Sequence, residues 1–328
     1  MLRTAIPQLD YIQSLVEERL EGVVEELRRI VLSDFPAIEE VNDYLLTARG
    51  KLFRPMLLLL ANDVGDRGSR EAVTLAAVVE LVHLATLVHD DAVDHSVLRR
   101  GMPTVNALWN HQTAIIMGDY LYSRSIMELT KFDELELIRV LSRAANEMSV
   151  GEMRQLVSHD TLDFTEDDYY RLISCKTASL MSAACEMGAL VGDNRFRAPL
   201  ARFGYKLGMA FQVIDDLLDY TETEAVTGKP SGHDLREHKV TLPLIAALEK
   251  MGPADRREVE AFFADPEPTD EGIAEIVDLV REYGGLEYAR ERADAFGEKA
   301  AAALIALPAS EAVEALRDAV TYVLDRRN

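Results

Sequence analysis

The chain has little from which to build a covalent framework: of its 328 residues only Cys175 and Cys185 are cysteines, and they form no CxxC pair. That excludes a disulfide-stapled secreted module and fits a reducing compartment. Basic residues are also scarce. With 57 acids against 35 bases the formal charge is −22, which disfavours nucleic acid and anionic lipid as partners of the molecule as a whole and leaves room only for a local basic pocket. Lysine is the rarer base, 8 against 27 arginines, so each lysine in a distinctive context is informative. No apolar run reaches the roughly 18 to 20 residues that cross a bilayer, and the N-terminal MLRTAIPQLDYIQSLVEERLEG interleaves acids with apolar residues, unlike a signal peptide. A soluble, cytoplasmic protein is expected.

What is present is hydrophobic periodicity. The chain is 48% hydrophobic, ample for a large core. Its apolar residues recur at three and four residue spacing while β-branched alternation is rare, so an all-α fold is expected. The pattern predicts helices over 8–31, 37–47, 55–64, 71–95, 104–130, 134–159, 166–190, 198–222, 241–250, 254–263, 270–283, 286–307 and 309–326. Thr165, with Asp168 three residues on, approximates a capping box. The stretch 221–241, TETEAVTGKPSGHDLREHKVT, carries Gly228, Pro230 and Gly232 and reads as a lid loop too polar to be buried. A single domain over 1–328 is expected, with a smaller helical elaboration after about 250.

One short pattern occurs twice, as Asp90-Asp91-Ala92-Val93-Asp94 and as Asp215-Asp216-Leu217-Leu218-Asp219. On a helix the first and last carboxylates of each cluster lie about 40° apart on one face, with His83 and Leu87 extending the Asp90 stripe and Phe211 that of Asp215. Three carboxylates in one turn repel each other unless a cation occupies the space. Oxygen-only ligands point to Mg²⁺ or Mn²⁺, which keeps several waters and takes its other ligands from substrate phosphates. The competing reading is a pair of solvated acidic helix ends. Counter-charges for a polyphosphate stand in unusual contexts: Lys51 and Arg54 in GKLFRP, Arg99 and Arg100 in RRG, Lys176 in CKTASLM, and Lys229 and Lys239 flanking the loop.

Together these residues resemble the trans-isoprenyl diphosphate synthases, the head-to-tail prenyltransferases, over about 8–325, and within them the long-chain, octaprenyl-type polyprenyl synthases. DDAVD with LRRGMPTVN is similar to the family's first aspartate-rich motif and FQVIDDLLDY to its second; GKLFRP, ELVHLATLVHDD, MGDYLYSR, GEMRQL, YYRLISCKTASL and GKPSGHDLREHKVTLPL follow in the expected order. The resemblance implies the isoprenoid synthase fold, long helices around a deep central cavity, as a homodimer that adds successive isopentenyl diphosphates to an allylic diphosphate (geranyl, farnesyl or geranylgeranyl). It implies Asp90 and Asp94 as ligands of two Mg²⁺, Asp91 supporting their water shell, and Asp215 as ligand of a third, with Asp216 and Asp219 in its hydrogen-bonded shell. It implies Arg99, Lys176, Lys239 and Lys229 on allylic phosphate oxygens and Lys51, Arg54, His83 and Arg100 on isopentenyl diphosphate. Thr177, Phe211 and Gln212 would flank the reacting carbons. His233 and His238 depart from the family's usual Asp and Gly, so lid closure is expected to be slower or pH-dependent.

The product length follows from geometry. A tail growing from Asp90 toward the N-terminus of its helix passes Ala85, Thr86 and Val82 and meets no aromatic ring. Some 15 residues of helix at about 1.5 Å each accommodate about five C5 units, which favours roughly C30 to C50. Such a product implies transient membrane contact at release. The alternatives are a geranylgeranyl diphosphate synthase, a terpene cyclase, a phosphohydrolase built on His89-Asp90, and a non-catalytic subunit of a prenyl synthase. His83 and Phe211 each have a core reading beside the functional one.

Overall fold

A computed structural model describes residues 8–47, 50–65, 68–99, 101–157, 162–221 and 232–326. The chain separates into two compact units: residues 1–145, 180–204 and 303–319 form the first, and 146–179, 205–302 and 320–328 the second.

In the first unit α1 (Leu9–Ser14) and α2 (Glu17–Val31) replace the single helix expected over 8–31, because the backbone leaves helical geometry at Val16. They are followed by α3 (Pro36–Thr47), α4 (Phe53–Asn62) and α5 (Glu71–Val93). α5 is flanked by α2, α4 and α7 (His111–Leu129). That enclosure explains its composition, since a helix apolar on every side is stable in water only when it is covered on every side. The expectation that no apolar run is long enough to cross a bilayer is corrected here: among the described residues α5 is the one helix long and apolar enough to do so, and 67% of its apolar window is buried inside the protein. The helix expected over 104–130 is also two: α6 (Val105–Leu108), then α7, which Asn110 starts by accepting a hydrogen bond from the Thr113 amide. Between α5 and α6 a two-stranded hairpin pairs β1 (Leu98–Arg99) with β2 (Met102–Pro103), Arg99 opposite Met102.

α5 and α7 approach closely at Gly118. A Cβ there would lie 2.2 Å from His89 Nε2, and that nitrogen sits 3.1 Å from the Ile115 carbonyl oxygen and 3.4 Å from Asp119. His89 is thus engaged in helix packing. Gly118→Ala is expected to displace the ring and to cost about 1 to 3 kcal/mol, read as a lower midpoint in urea unfolding.

α8 (Leu135–Val157) contributes residues to both units. In the second unit α9 (Glu166–Ile173) begins with a complete capping box, Thr165 and Asp168 reciprocally bonded. The helix expected over 166–190 then changes register: Ser174–Ala178 form a π turn before α10 (Ser179–Val191), most of which lies in the first unit. A 3₁₀ turn (Asn194–Phe196) leads into α11 (Arg197–Thr221). Its second half packs Val213, Ile214 and Tyr220 into a core shared with Leu235, Leu242 and Phe263. The expected lid is corrected in part. Residues 222–231 lie outside the described residues, but 232–241 contain a helical turn, α12 (His233–Arg236), and bury Leu235 and His238, because these side chains reach the aromatic and aliphatic core. α13 (Leu242–Leu248), α14 (Pro253–Phe263), α15 (Asp270–Glu282), α16 (Gly285–Ala303) and α17 (Glu311–Asp325) complete the chain.

Candidate active site

The candidate residues divide between the two units. In the first, Asp90, Asp91 and Asp94 occupy the last turn and C-cap of α5. Negative charge is unfavourable at this end of a helix, where the backbone carbonyls already concentrate it. The three carboxylates differ in environment: Asp94 is exposed, Asp90 half-buried and Asp91 buried. Asp91 accepts hydrogen bonds from Arg99 Nε at 2.8 and 2.9 Å, the arginine being held on the hairpin. Burial pushes the Asp91 carboxyl up, Arg99 opposes that, and the charges of Asp90 and Asp94 add to the rise. Arg99, expected on a phosphate, is here the partner of Asp91. Arg100 lies outside the described residues.

Along α5 the accessible strip behind Asp90 runs through Leu87, Thr86 and His83, whereas Ala85 (2% exposed) and Val82 (1%) are packed. Of the three residues expected to set chain length, only Thr86 keeps accessible surface; its hydroxyl bonds the His83 carbonyl at 2.8 Å. Lys51 is exposed and Arg54 half-buried at the start of α4.

In the second unit the aspartates of the second cluster are likewise unequal. Asp215 is exposed. Asp216 is buried and accepts from Tyr169 Oη at 2.6 Å and from Gln212 Nε2 at 2.8 Å, while Gln212 Oε1 accepts from Thr177 at 2.7 Å. This chain locks Thr177, on the π turn, to α11. Burial drives the Asp216 carboxyl well up, the charge of Asp234 adds to it, and the two hydrogen bonds oppose it. Asp219 accepts from the backbone amides of His233 (3.2 Å) and Asp234 (2.9 Å), and burial together with the Asp234 charge pushes it up to about 7. Lys176 pairs with Glu152 at 2.8 Å and donates to Gln155 at 3.0 Å. Lys239 pairs with Glu237; burial acts to raise that glutamate, but His233 and Lys239 outweigh it and hold it at about 2. Lys229 lies outside the described residues. Tyr169→Phe, which leaves Asp216 buried with one of these hydrogen bonds gone, is expected to destabilise the protein by about 1 to 3 kcal/mol, measured by chemical unfolding.

Both clusters therefore sort in one way. In each, one aspartate is exposed, Asp94 and Asp215, and one is buried on protein donors, Asp91 and Asp216. Among the described residues no three acidic, histidine or cysteine side chains converge as a metal cage. That donor set suits a cation such as Mg²⁺, which binds one or two carboxylates and completes its shell with water and phosphate. It does not suit Zn²⁺.

Sequence reasoning missed several participants. Tyr169 reads as core, yet it donates to Asp216. Arg326 carries no motif, yet its guanidinium bonds Asp215 at 2.8 Å. One backbone signal was invisible: the non-glycine residues with left-handed φ among the described residues are Leu52 (50°), His95 (50°) and His238 (51°). Each adjoins a candidate charged residue, Lys51, Asp94 and Lys239 respectively, and strain of this kind collects at functional sites. The left-handed region is a conformation that glycine adopts without strain, in keeping with the glycine that the resemblance implies at position 238. His238 adopts that conformation while its ring packs against Phe263 at 5.4 Å.

Comparison with known proteins adds a second line of observation. The polyprenyl synthetase family model matches residues 35–280. The all-trans-nonaprenyl-diphosphate synthase (geranyl-diphosphate specific) of Rhodobacter capsulatus is 40% identical over 298 residues, 90% of this chain and 91% of that protein. The octaprenyl diphosphate synthase of Escherichia coli (strain K12) is 36% identical over 94% of this chain and 96% of its own. The crystal structure of a polyprenyl synthase from Caulobacter crescentus CB15, complexed with calcium and isoprenyl diphosphate, superposes with a TM-score of 0.93 at 32% identity, covering 99% of each chain.

Proposed function

Since this chain belongs to the polyprenyl synthetase family and is a long-chain all-trans polyprenyl diphosphate synthase of the C35–C50 class, we propose that it extends geranyl, farnesyl or geranylgeranyl diphosphate with successive isopentenyl diphosphates under Mg²⁺. The observation that carries the assignment of ligands is the sorting of each aspartate cluster: Asp94 and Asp215 are exposed and Asp90 half-buried, while Asp91 and Asp216 are buried on protein donors. Members of the family use divalent metals. Asp90, Asp94 and Asp215 would hold three Mg²⁺, which would supply positive charge opposite a departing diphosphate.

The chain's own residues do the rest. Arg99, Lys176, Lys239 and Lys229 take the allylic phosphate oxygens, which requires Arg99, Lys176 and Lys239 to exchange a carboxylate partner for a phosphate, one charge-assisted contact for another. Lys51, Arg54, His83 and Arg100 orient isopentenyl diphosphate. Thr177 and Gln212, fixed to each other and to Asp216, present polar atoms that cannot attack a carbocation as free water would. Phe211 offers a ring face to the same charge. The bond that forms joins the allylic carbon to the terminal alkene carbon of isopentenyl diphosphate, and the proton lost on re-forming the double bond goes to the departed diphosphate. The protein acts as a homodimer in the cytoplasm, touching the membrane at product release.

Incubating the pure protein with Mg²⁺, isopentenyl diphosphate and each primer, then sizing the dephosphorylated products, tests this reading. Products of C35–C50 are expected. A product confined to C20 would establish the geranylgeranyl alternative, and no product until a second polypeptide is added would establish the subunit alternative.

A further inference from the structure

The last described residue, Arg326, sits where no sequence pattern places it. Its side chain is only 8% exposed, against 55% for the Asp215 carboxylate that it bonds. The guanidinium lies 3.8 Å from the centroid of the Phe211 ring, and its Nη2 also donates to the Phe211 carbonyl oxygen at 3.1 Å. Its Nε is buried with no acceptor among the described residues. A cation buried this deeply normally satisfies all its donors. Arg326 instead stands on an aromatic face, shares a helix carbonyl and holds a single carboxylate that is itself largely in water.

We propose that Arg326 is a counter-ion latch: without a bound cation it neutralises Asp215 and covers Phe211, and a divalent cation must displace it to use Asp215. This inference rests on the assignment of Asp215 as a metal ligand made above. The physical reasons are competition and repulsion. Arg326 occupies a carboxylate oxygen that the cation needs, and a guanidinium within 3 Å of that oxygen repels a divalent ion placed beside it. The unpaired Nε means that the closed contact is incompletely satisfied, so release into water returns a hydrogen bond that the closed state lacks. Three other cations, Arg99, Lys176 and Lys239, also rest on carboxylates. Among these four, Arg326 alone rests on a proposed metal ligand. It is a positioning residue acting through Asp215, and opening the latch also uncovers the ring of Phe211.

The test is Mn²⁺ binding followed by the electron paramagnetic resonance signal of the free ion, with and without inorganic diphosphate, on wild type, Arg326→Gln, Arg326→Lys and Asp215→Asn. Arg326→Gln is expected to bind Mn²⁺ about three- to tenfold more tightly, the scale of one partly screened ion pair. Arg326→Lys, which keeps the charge but loses the planar fork, should fall between it and wild type. Asp215→Asn should bind more weakly. Unchanged binding in Asp215→Asn would remove the ligand assignment. Weaker binding there combined with unchanged or weaker binding in Arg326→Gln would leave that assignment standing and overturn the latch. Hydrogen exchange of residues 320–326 in the wild-type protein gives an answer independent of substitution: Mn²⁺ with diphosphate should accelerate it at least about threefold if the latch opens, whereas protection would mean that Arg326 stays closed and the proposal is wrong.

Discussion

Asp90→Ala and Asp215→Ala are each expected to lower turnover by at least about 10³-fold at saturating substrates, with the helical circular dichroism unchanged. The size follows from the charge that develops on a departing diphosphate: a factor of 10³ is about 4 kcal/mol of transition-state stabilisation, the scale on which one metal-bound oxygen contributes. The fold should tolerate both changes because neither carboxylate belongs to the core. Asp215 is exposed and Asp90 half-buried, so removing either carboxylate takes little packing out of the interior. Asp216 makes the contrast. It is buried between Tyr169 and Gln212, so Asp216→Ala should lower stability together with activity. Single-turnover kinetics and circular dichroism on the three variants separate the two behaviours. Near wild-type turnover in Asp90→Ala or Asp215→Ala would end the proposed division between metal-binding and structural carboxylates.

Ala85→Phe is expected to convert the product from the long-chain class to C15 or C20. A polyprenyl tail of this length is entirely apolar and has to be sheathed by the protein, and the turns of α5 behind the aspartates carry no Phe, Tyr or Trp to stop it. Ala85 is 2% exposed, so a phenyl group there displaces packed neighbours and should cost about 1 to 3 kcal/mol. Thr86 keeps accessible surface, and Thr86→Phe should shorten the product at a smaller cost in stability. Sizing the products of both variants against farnesyl diphosphate, alongside their urea midpoints, reads the two effects separately. An unchanged long-chain distribution from both folded, active variants would show that the tail does not pass this turn of α5.

Much of this protein was legible in the order of its residues because the features concerned are local. The helical class follows from three- and four-residue periodicity, the start of α9 from Thr165 and Asp168 three positions apart, and both acidic clusters from five contiguous residues each. The family follows from an ordered set of such short segments. Helix interruptions were less visible. Asn110 caps α7 within a pattern that reads as continuous, and the π turn at Ser174–Ala178 shifts the register without any glycine or proline to mark it.

Tertiary structure alone decided what each member of a cluster does. Nothing in DDxxD distinguishes its three aspartates. The difference comes from Arg99 on Asp91, from Tyr169, which lies 47 positions before Asp216, and from Arg326, which lies 111 positions after Asp215. His89 looked like half of a metal-binding pair until the space above Gly118 gave it a packing partner. Burial and pairing are properties of neighbours in space, and residues so far apart in the chain leave no periodic trace in either segment. The order of residues places two groups of carboxylates at helix ends beside scarce cations; the fold, by choosing which carboxylates to desolvate and satisfy, decides which of them stay exposed to water.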